Sequence, residues 1–386
     1  MRKRLLGAGL AVAMGVTTVL GGAAMAETTR AGDPTARYIV VLKDGHTVPS
    51  VATLSGGVIR KRFEAIGGFS ADLSSDAVER LRRDPAVAFV QENRVHRMEA
   101  SPGDALAAPW HLDRIDQREL PLDGGFTPSG TGAGVDVYVV DSGVRRTHSE
   151  FEGRASSVYN TVDDGNGHTD CAGHGTFVAS HIAGRTYGVA KKAVIKAVRV
   201  LKCDNSGTTE DMADGMNWTA LNAPSGAIVN ISLQSSGGRT DRVLDAAAKK
   251  LVDNGKLVVL IAGNFNKGDC QNSPKDSRAV IMGATTRTDS RNTGSNASSY
   301  GSCLTAFAPG ANVTGAGKSS DTAVQTGWYG TSFAAPLAAG TLAVAKAKNP
   351  NLTMAQAKQL IVDSSTKNKL TAIGTGSPNR LLYAGS

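Results

Sequence analysis

The chain has 386 residues, of which 41% are apolar, 20% charged and only 5% aromatic. This composition excludes a disordered polyelectrolyte, a collagen and a coiled coil, and the length suits two or three domains. The formal net charge is +8, with 14 Lys/Arg against 10 Asp/Glu in residues 1–102 and 28 against 24 in the remainder; with no basic block after residue 100, nucleic acid is not an expected partner.

Along the chain, the first feature is Arg2-Lys3-Arg4, followed by an apolar run over residues 5–20 and small residues ending in Ala24-Met25-Ala26. A charged start, an apolar core and an A-x-A site form the pattern of a secretory signal over residues 1–26. A transmembrane anchor is the alternative, but the run is rich in Gly and Ala, short for a span and without stop-transfer charges. No later segment is long and apolar enough to cross a membrane. The expectation is an exported, soluble protein with no stable membrane association.

Residues 27–102 form the next expected unit. Residues 38–42 and 87–90 are short strand runs, and Ser75 is placed to cap a helix that carries Val78 and Leu81 and closes at Pro85. After this small α+β unit, residues 98–108 are mostly small, the kind of stretch in which linkers and proteolytic cuts concentrate. The rest, residues 103–386, is expected to be one domain. Residues 135–140, 194–201, 228–232 and 257–261 read as strands, and their near-continuous apolarity suits a parallel sheet covered on both faces. Helical patterns fall at 176–183, 243–252, 332–348 and 354–362. The fold class is therefore α/β, a doubly wound parallel sheet, whose sites lie beyond the carboxyl ends of the strands. There is no internal repeat, P-loop or dinucleotide-binding fingerprint.

Three motifs lie at strand ends or helix starts. Val139-Val-Asp-Ser-Gly143 puts Asp141 after a strand, and Gly173-His-Gly-Thr176 puts His174 at the start of a helical segment. Gly330-Thr-Ser-Phe-Ala-Ala-Pro336 puts Ser332 at the start of the long helix. A serine hydroxyl is a poor nucleophile at neutral pH and needs a base; histidine takes that proton and returns it to a leaving amine. A buried carboxylate fixes the imidazole tautomer and stabilises the imidazolium. Asn264 follows a strand, so its carboxamide and the Ser332 backbone N–H are candidate donors to a developing oxyanion. Singly, each motif has an ordinary reading as a cap, a turn or a buried structural histidine. Four motifs of the required type in one order favour nucleophilic catalysis, and of seven histidines only His174 is framed by glycines in this way.

Cys171, Cys203, Cys270 and Cys303 lie at least about thirty residues apart. In an exported chain they favour disulfides over a metal site, and three pairings are possible.

The order Asp141, His174, Ser332 resembles that of the subtilisin-type serine proteases. Ala108-Pro-Trp-His-Leu-Asp-Arg-Ile-Asp-Gln117, Tyr187-Gly-Val-Ala190, Val198-Arg-Val-Leu201, Tyr300-Gly-Ser-Cys303 and Gly376-Ser-Pro-Asn-Arg-Leu-Leu-Tyr383 are similar to the proteinase K branch. Within that branch they are closest to the aqualysin-like secreted proteases. The resemblance implies a secreted serine endopeptidase of the S8 family, with Asp141, His174 and Ser332 as triad, Asn264 as oxyanion donor and no catalytic cofactor. It implies that residues 27–102 are an inhibitor-type, ferredoxin-like propeptide that the enzyme cuts off near residues 100–108. It also implies a monomer, the sequential disulfides Cys171–Cys203 and Cys270–Cys303, and protein or peptide substrates. These would add as a β-strand between Ser232, Leu233, Gln234 and Asn205, Ser206, Gly207.

By the same resemblance, Asp113, Asp116, Gln117 and Asp123 match the ligands of a structural Ca²⁺ site, and hard oxygen donors suit this ion; a solvated acidic loop is the alternative. A second family site has an aspartate where this chain has Thr305, so that site is expected to be weak or absent. Two stretches depart from the family pattern. Ser-Leu-Gly-Gly reads Ser232-Leu-Gln-Ser235, and Ala-Ala-Gly-Asn reads Ile261-Ala262-Gly263-Asn264. Either Gln234 and Ile261 narrow the P1 pocket or Gln234 points to solvent, which leaves the family's preference for large apolar P1 residues open. An α/β-hydrolase esterase would carry its serine first and in a G-x-S-x-G elbow, whereas Ser332 comes last and precedes Phe333-Ala334. A binding protein that merely keeps the fold is disfavoured by the complete set of catalytic residues. A kexin-like preference for basic residues finds no acid in residues 232–235 or 261–264.

Overall fold

The structure is a computed structural model that describes residues 35–48, 51, 57–98, 109–268 and 270–385. The expected signal at 1–26 and the expected cut region at 100–108 lie outside the described residues.

The first unit is a four-stranded antiparallel sheet built from β1 (Ala36–Leu42), β2 (Val58–Phe63), β3 (Gly68–Leu73) and β4 (Val87–Glu92), in the order β2-β3-β1-β4. Alternate side chains of a strand face opposite ways. Val40 and Leu42 accordingly pack with Ala77, Val78 and Leu81 of helix α1 (Ser75–Arg83), while Ile39 and Val41 belong to the core of the larger unit. The helix begins one residue earlier than the sequence suggests. Ser74 is extended and its hydroxyl accepts from the Ala77 N–H at 3.3 Å, so Ser74 is the cap and Ser75 is already helical. The chain then forms a short strand, β5 (Val95–Arg97).

The larger unit comprises helices α2 (Trp110–Asp116), α3 (His174–Ala183), α4 (Thr209–Asn222), α5 (Arg242–Asp253), α6 (Thr331–Lys348) and α7 (Met354–Ser364). Its strands are β6 (Asp136–Asp141), β7 (Ala155–Asn160), β8 (Val194–Arg199), β9 (Ser206–Thr208), β10 (Ile228–Ile231), β11 (Leu257–Ile261), β12 (Val280–Thr285), β13 (Ala306–Pro309), β14 (Val313–Ala316), β15 (Val324–Trp328), β16 (Thr366–Lys367) and β17 (Arg380–Leu381). Nine of them form one sheet, β16-β17-β13-β12-β11-β10-β6-β8-β7, parallel apart from the β16–β17 pair. Strands β10 and β11 are buried throughout and β6 at all but its first residue, which explains the unbroken apolar runs. Helix α6 crosses the middle of the sheet with residues 331–344 all buried. The cysteines pair in sequence order, Cys171–Cys203 and Cys270–Cys303. No helix among the described residues is long and apolar enough to cross a membrane.

The small sheet sits on α4 and α5. Lys61 reaches Asp214 at 2.8 Å, Arg37 reaches Glu210 at 3.0 Å, Ser70 Oγ donates to Glu210 at 3.0 Å, and the Ala65 N–H donates to Asn217 at 2.7 Å. These acids and the amide belong to α4, which sequence periodicity did not single out: Glu210, Asp214 and Asn217 are buried beside Met212, Ala213 and Met216. Buried polar groups need partners, and here the small sheet supplies them. Strand β5 continues from that sheet and pairs antiparallel with β9.

Candidate active site

Asp141 is the last residue of β6 rather than the first beyond it, and it is fully buried. One carboxylate oxygen, Oδ1, accepts from the Ser142 N–H at 2.7 Å and from His174 Nδ1 at 2.8 Å. His174 opens α3 and is fully buried as well. The helix can approach the loop after β6 because residue 175 is glycine: a Cβ there would lie 2.0 Å from the Gly143 carbonyl oxygen. Asp170 fastens the loop, accepting from Ser142 Oγ at 2.8 Å, the Gly173 N–H at 2.6 Å and the Thr176 N–H at 2.8 Å, while Ser142 Oγ accepts from the Gly175 N–H at 2.9 Å. Burial opposes a charge on the His174 ring, but the hydrogen-bonded Asp141 carboxylate and the nearby Asp170 outweigh it and raise the histidine pKa. Its Nε2 is buried without a partner among the described residues and thus open to a further group.

Ser332 is the second residue of α6, so its N–H has no carbonyl partner within the helix. The helix start is tied to the end of β10. Pro336 has no N–H to donate to the Ser332 carbonyl four residues back, and Ser232 Oγ donates to that carbonyl instead, at 2.8 Å. The Ser332 hydroxyl in turn donates to the Ser232 carbonyl at 3.3 Å. Asn264 is held by the same turn, its Oδ1 accepting from the Thr331 N–H at 2.8 Å and from Thr331 Oγ1 at 2.7 Å. This fixes which end of the carboxamide carries the free donors. Gly330 has φ 148°, and a Cβ there would approach Asn264 Nδ2 to 3.1 Å. Nothing in the sequence marks the roles of Asp170 and Thr331 beyond their place beside or within the glycine-framed motifs.

Of the two segments expected to take substrate, one is already paired with another strand. Gly207 of β9 pairs with His96, Ser206 pairs with Arg97, and the Met98 N–H donates to the Asn205 carbonyl at 2.9 Å. On the other side Ser232, Leu233 and Gln234 are buried. Gln234 does not point to solvent. It is 3% exposed, and its Oε1 accepts from the Asn264 backbone N–H at 3.0 Å, spanning the gap between the two segments. Ile261 is buried in the main core and pairs with Met282, Ala262 is buried too, and Gly263 lies against Asn272. The Asn272 carboxamide is buried with neither atom partnered among the described residues.

The acidic loop expected to hold an ion is compact. Asp113 accepts from the Asp123 N–H at 3.2 Å and the Gly124 N–H at 2.9 Å, and Gln117 Oε1 accepts from the Asp123 N–H at 3.2 Å. Asp116 accepts from the Thr127 N–H through one oxygen, while its other oxygen, Oδ1, is buried without a partner among the described residues. Burial raises the Asp116 pKa, and the charges of Asp123 and Asp113 raise it further. A cation would relieve both effects, so the donor set fits a hard ion. Thr305 is part of the sheet framework, its N–H donating to the Ile281 carbonyl at 2.8 Å and its Oγ1 accepting from the Ile281 N–H at 3.1 Å.

Comparison with known proteins agrees with this geometry. Residues 132–381 match the model of the subtilase family, Peptidase_S8. The chain is 40% identical over 332 residues to an extracellular serine proteinase of Thermus sp. (strain Rt41A), covering 86% of this chain and 78% of that relative. It is 39% identical to an alkaline serine exoprotease A of Vibrio alginolyticus, covering 83% of this chain and 59% of that relative. A crystal structure of a cold-adapted subtilisin-like serine proteinase superposes with a TM-score of 0.67 at 41% identity, covering 72% of this chain and 99% of that one. With a family match over more than half its length and relatives at this identity, the chain belongs to the subtilase family of subtilisin-like serine endopeptidases.

Proposed function

We propose that this subtilase is a secreted endopeptidase that cuts peptide bonds through an acyl-enzyme on Ser332. The observation that carries the reading is the 2.8 Å contact between His174 Nδ1 and Asp141, with Nε2 buried and unpaired among the described residues. In the proposed mechanism the Ser332 hydroxyl turns from the Ser232 carbonyl to Nε2 and attacks the substrate carbonyl carbon as His174 takes its proton. Asn264 Nδ2 and the Ser332 N–H receive the oxyanion. The imidazolium, steadied by Asp141, then protonates the leaving amine, and a water activated by the same ring hydrolyses the ester. Hydrolysis of a chromogenic peptide by the processed protein, lost on Ser332→Ala, tests this; equal inertness of both would refute it.

Several finer features belong to the same proposal. The protein would carry a signal at 1–26 and a propeptide at 27–102, and act as a monomer at 103–386. Occupation of the β9 edge by β5 supports the propeptide as an inhibitor lying where substrate would lie. Export is supported by the name of the Thermus relative, an extracellular proteinase. Asp113, Asp116, Gln117 and Asp123 would hold a structural Ca²⁺ that braces the loop after α2 and takes no part in the chemistry. At P1, Gln234 reaching across to Asn264, with the Asn272 amide, unpaired among the described residues, against Gly263, supports a narrowed and partly polar pocket. Gln234, where the family pattern has glycine, is then the residue that narrows the pocket.

A further inference from the structure

The propeptide strand does more than cover an edge. Val95 is exposed and Arg97 meets Asp204 at the surface, but His96 between them is 1% exposed. Both of its ring nitrogens are engaged. Nε2 lies 2.9 Å from Thr209 Oγ1 and 3.4 Å from Asp241 Oδ2, and Nδ1 accepts from the Ser236 N–H at 2.9 Å. With Nδ1 as acceptor, the ring proton sits on Nε2, facing Thr209 and Asp241. Thr209 Oγ1 donates its own hydrogen bond to Asp241 Oδ2 at 2.8 Å.

The receiving groups do not depend on His96 for their placement. Asp241 is fully buried and caps α5, its Oδ1 accepting from the Val243 and Leu244 N–H groups at 3.1 Å each, which stay in place without the small unit, and from Gln91 Nε2 of β4 at 2.8 Å. Thr209 is the first residue of α4 and is fully buried. We propose that this pocket is a substrate subsite selective for a histidine side chain, which His96 fills in the unprocessed chain. The proposal rests on the endopeptidase reading and on substrate taking the β9 edge as β5 does.

The selectivity follows from what each occupant leaves unpaired. When the propeptide strand departs, the pocket keeps a backbone donor on one side and a hydroxyl–carboxylate pair on the other. A buried polar group without a partner costs about 1–3 kcal/mol. A flat ring with an acceptor at one edge and a donor at the other satisfies both sides at once. Phenylalanine or leucine satisfies neither, and lysine offers no acceptor to the Ser236 N–H. One such unmet group corresponds to roughly tenfold or more in kcat/KM between otherwise identical peptides.

The test uses the processed enzyme on a peptide library in which each position upstream of the cut is varied in turn, with products read by mass spectrometry. The expected result is a single upstream position at which histidine exceeds phenylalanine about tenfold, with that ratio falling towards one in Thr209→Val and in Asp241→Asn. Thr209→Val leaves the α5 cap intact, so the test stands even if the aspartate variant folds poorly. Cleavage without preference for histidine at any position, or a preference that survives in Thr209→Val, overturns the subsite and leaves His96 as a propeptide latch only. A wild-type enzyme that cuts no peptide overturns the endopeptidase reading along with it.

Discussion

Acid should expose a weakness that is built into the packing between α3 and α6. His111 and His181 are fully buried with ring centroids 4.3 Å apart, and His181 also packs on Phe177 and Phe333. Burial pushes the His181 pKa from 6.5 down to about 4, only partly opposed by the Thr314 and Phe333 carbonyls; burial and the neighbouring His181 push His111 down as well. Between pH 6.5 and 4 the unfolded chain therefore binds a proton at residue 181 that the native chain refuses, so stability falls as the pH drops. At about 1.4 kcal/mol per pH unit, the loss from His181 alone comes to about 3 kcal/mol. Asp245 acts in the opposite sense: burial raises its pKa to about 6, so its native form gains a proton first and stability rises over the same range. A raw pH profile mixes the two, and the informative quantity is a difference between variants. In a Ser332→Ala background, which removes self-digestion, urea unfolding followed from pH 7 to 4 should show the parent losing about 3 kcal/mol relative to His181→Gln. Glutamine keeps a donor for the Thr314 carbonyl and does not titrate. Parallel profiles for the two proteins would refute the reasoning.

Asn264→Ala should lower kcat by about 10²–10³ with KM little changed, because the donor acts on charge that develops only in the transition state; an effect confined to KM would contradict its role. Gln234→Gly should raise kcat/KM for peptides with phenylalanine or leucine at P1, relative to alanine at P1, by roughly tenfold or more, and an unchanged P1 profile would show that the carboxamide does not restrict the pocket. Chelation with EDTA should lower the Tm of the parent, and Asp116→Ala should both start lower and respond less; equal responses would remove Asp116 from the ion site.

The sheet centre was legible because β6, β10 and β11 are buried on both faces, so that neither face needs polar residues and the apolar runs stand out. Helix α6 announced itself by its length and apolarity, and the four motifs proposed to be catalytic by glycines that the local backbone requires, as at Gly175 and Gly330. Helix α4 was not legible. Its buried face carries Glu210, Asp214 and Asn217, whose partners Arg37, Ser70, Lys61 and Ala65 come from more than a hundred residues away. A polar residue paired by a distant element looks, in the sequence, like a residue meant for solvent.

Residue type and spacing alone determined which groups could do acyl chemistry, because the demands on a nucleophile, a base and an oxyanion donor are set by their intrinsic acidity and hydrogen bonding. Tertiary structure decided the directions. Gln234 could equally have faced water, and only the Asn264 N–H opposite turns it inward. His96, without a glycine frame, was not singled out in the sequence, and only folding brought Thr209, Ser236 and Asp241 around it. A hydrogen bond needs its partner within about 3 Å, and no linear pattern records which residues a fold brings that close.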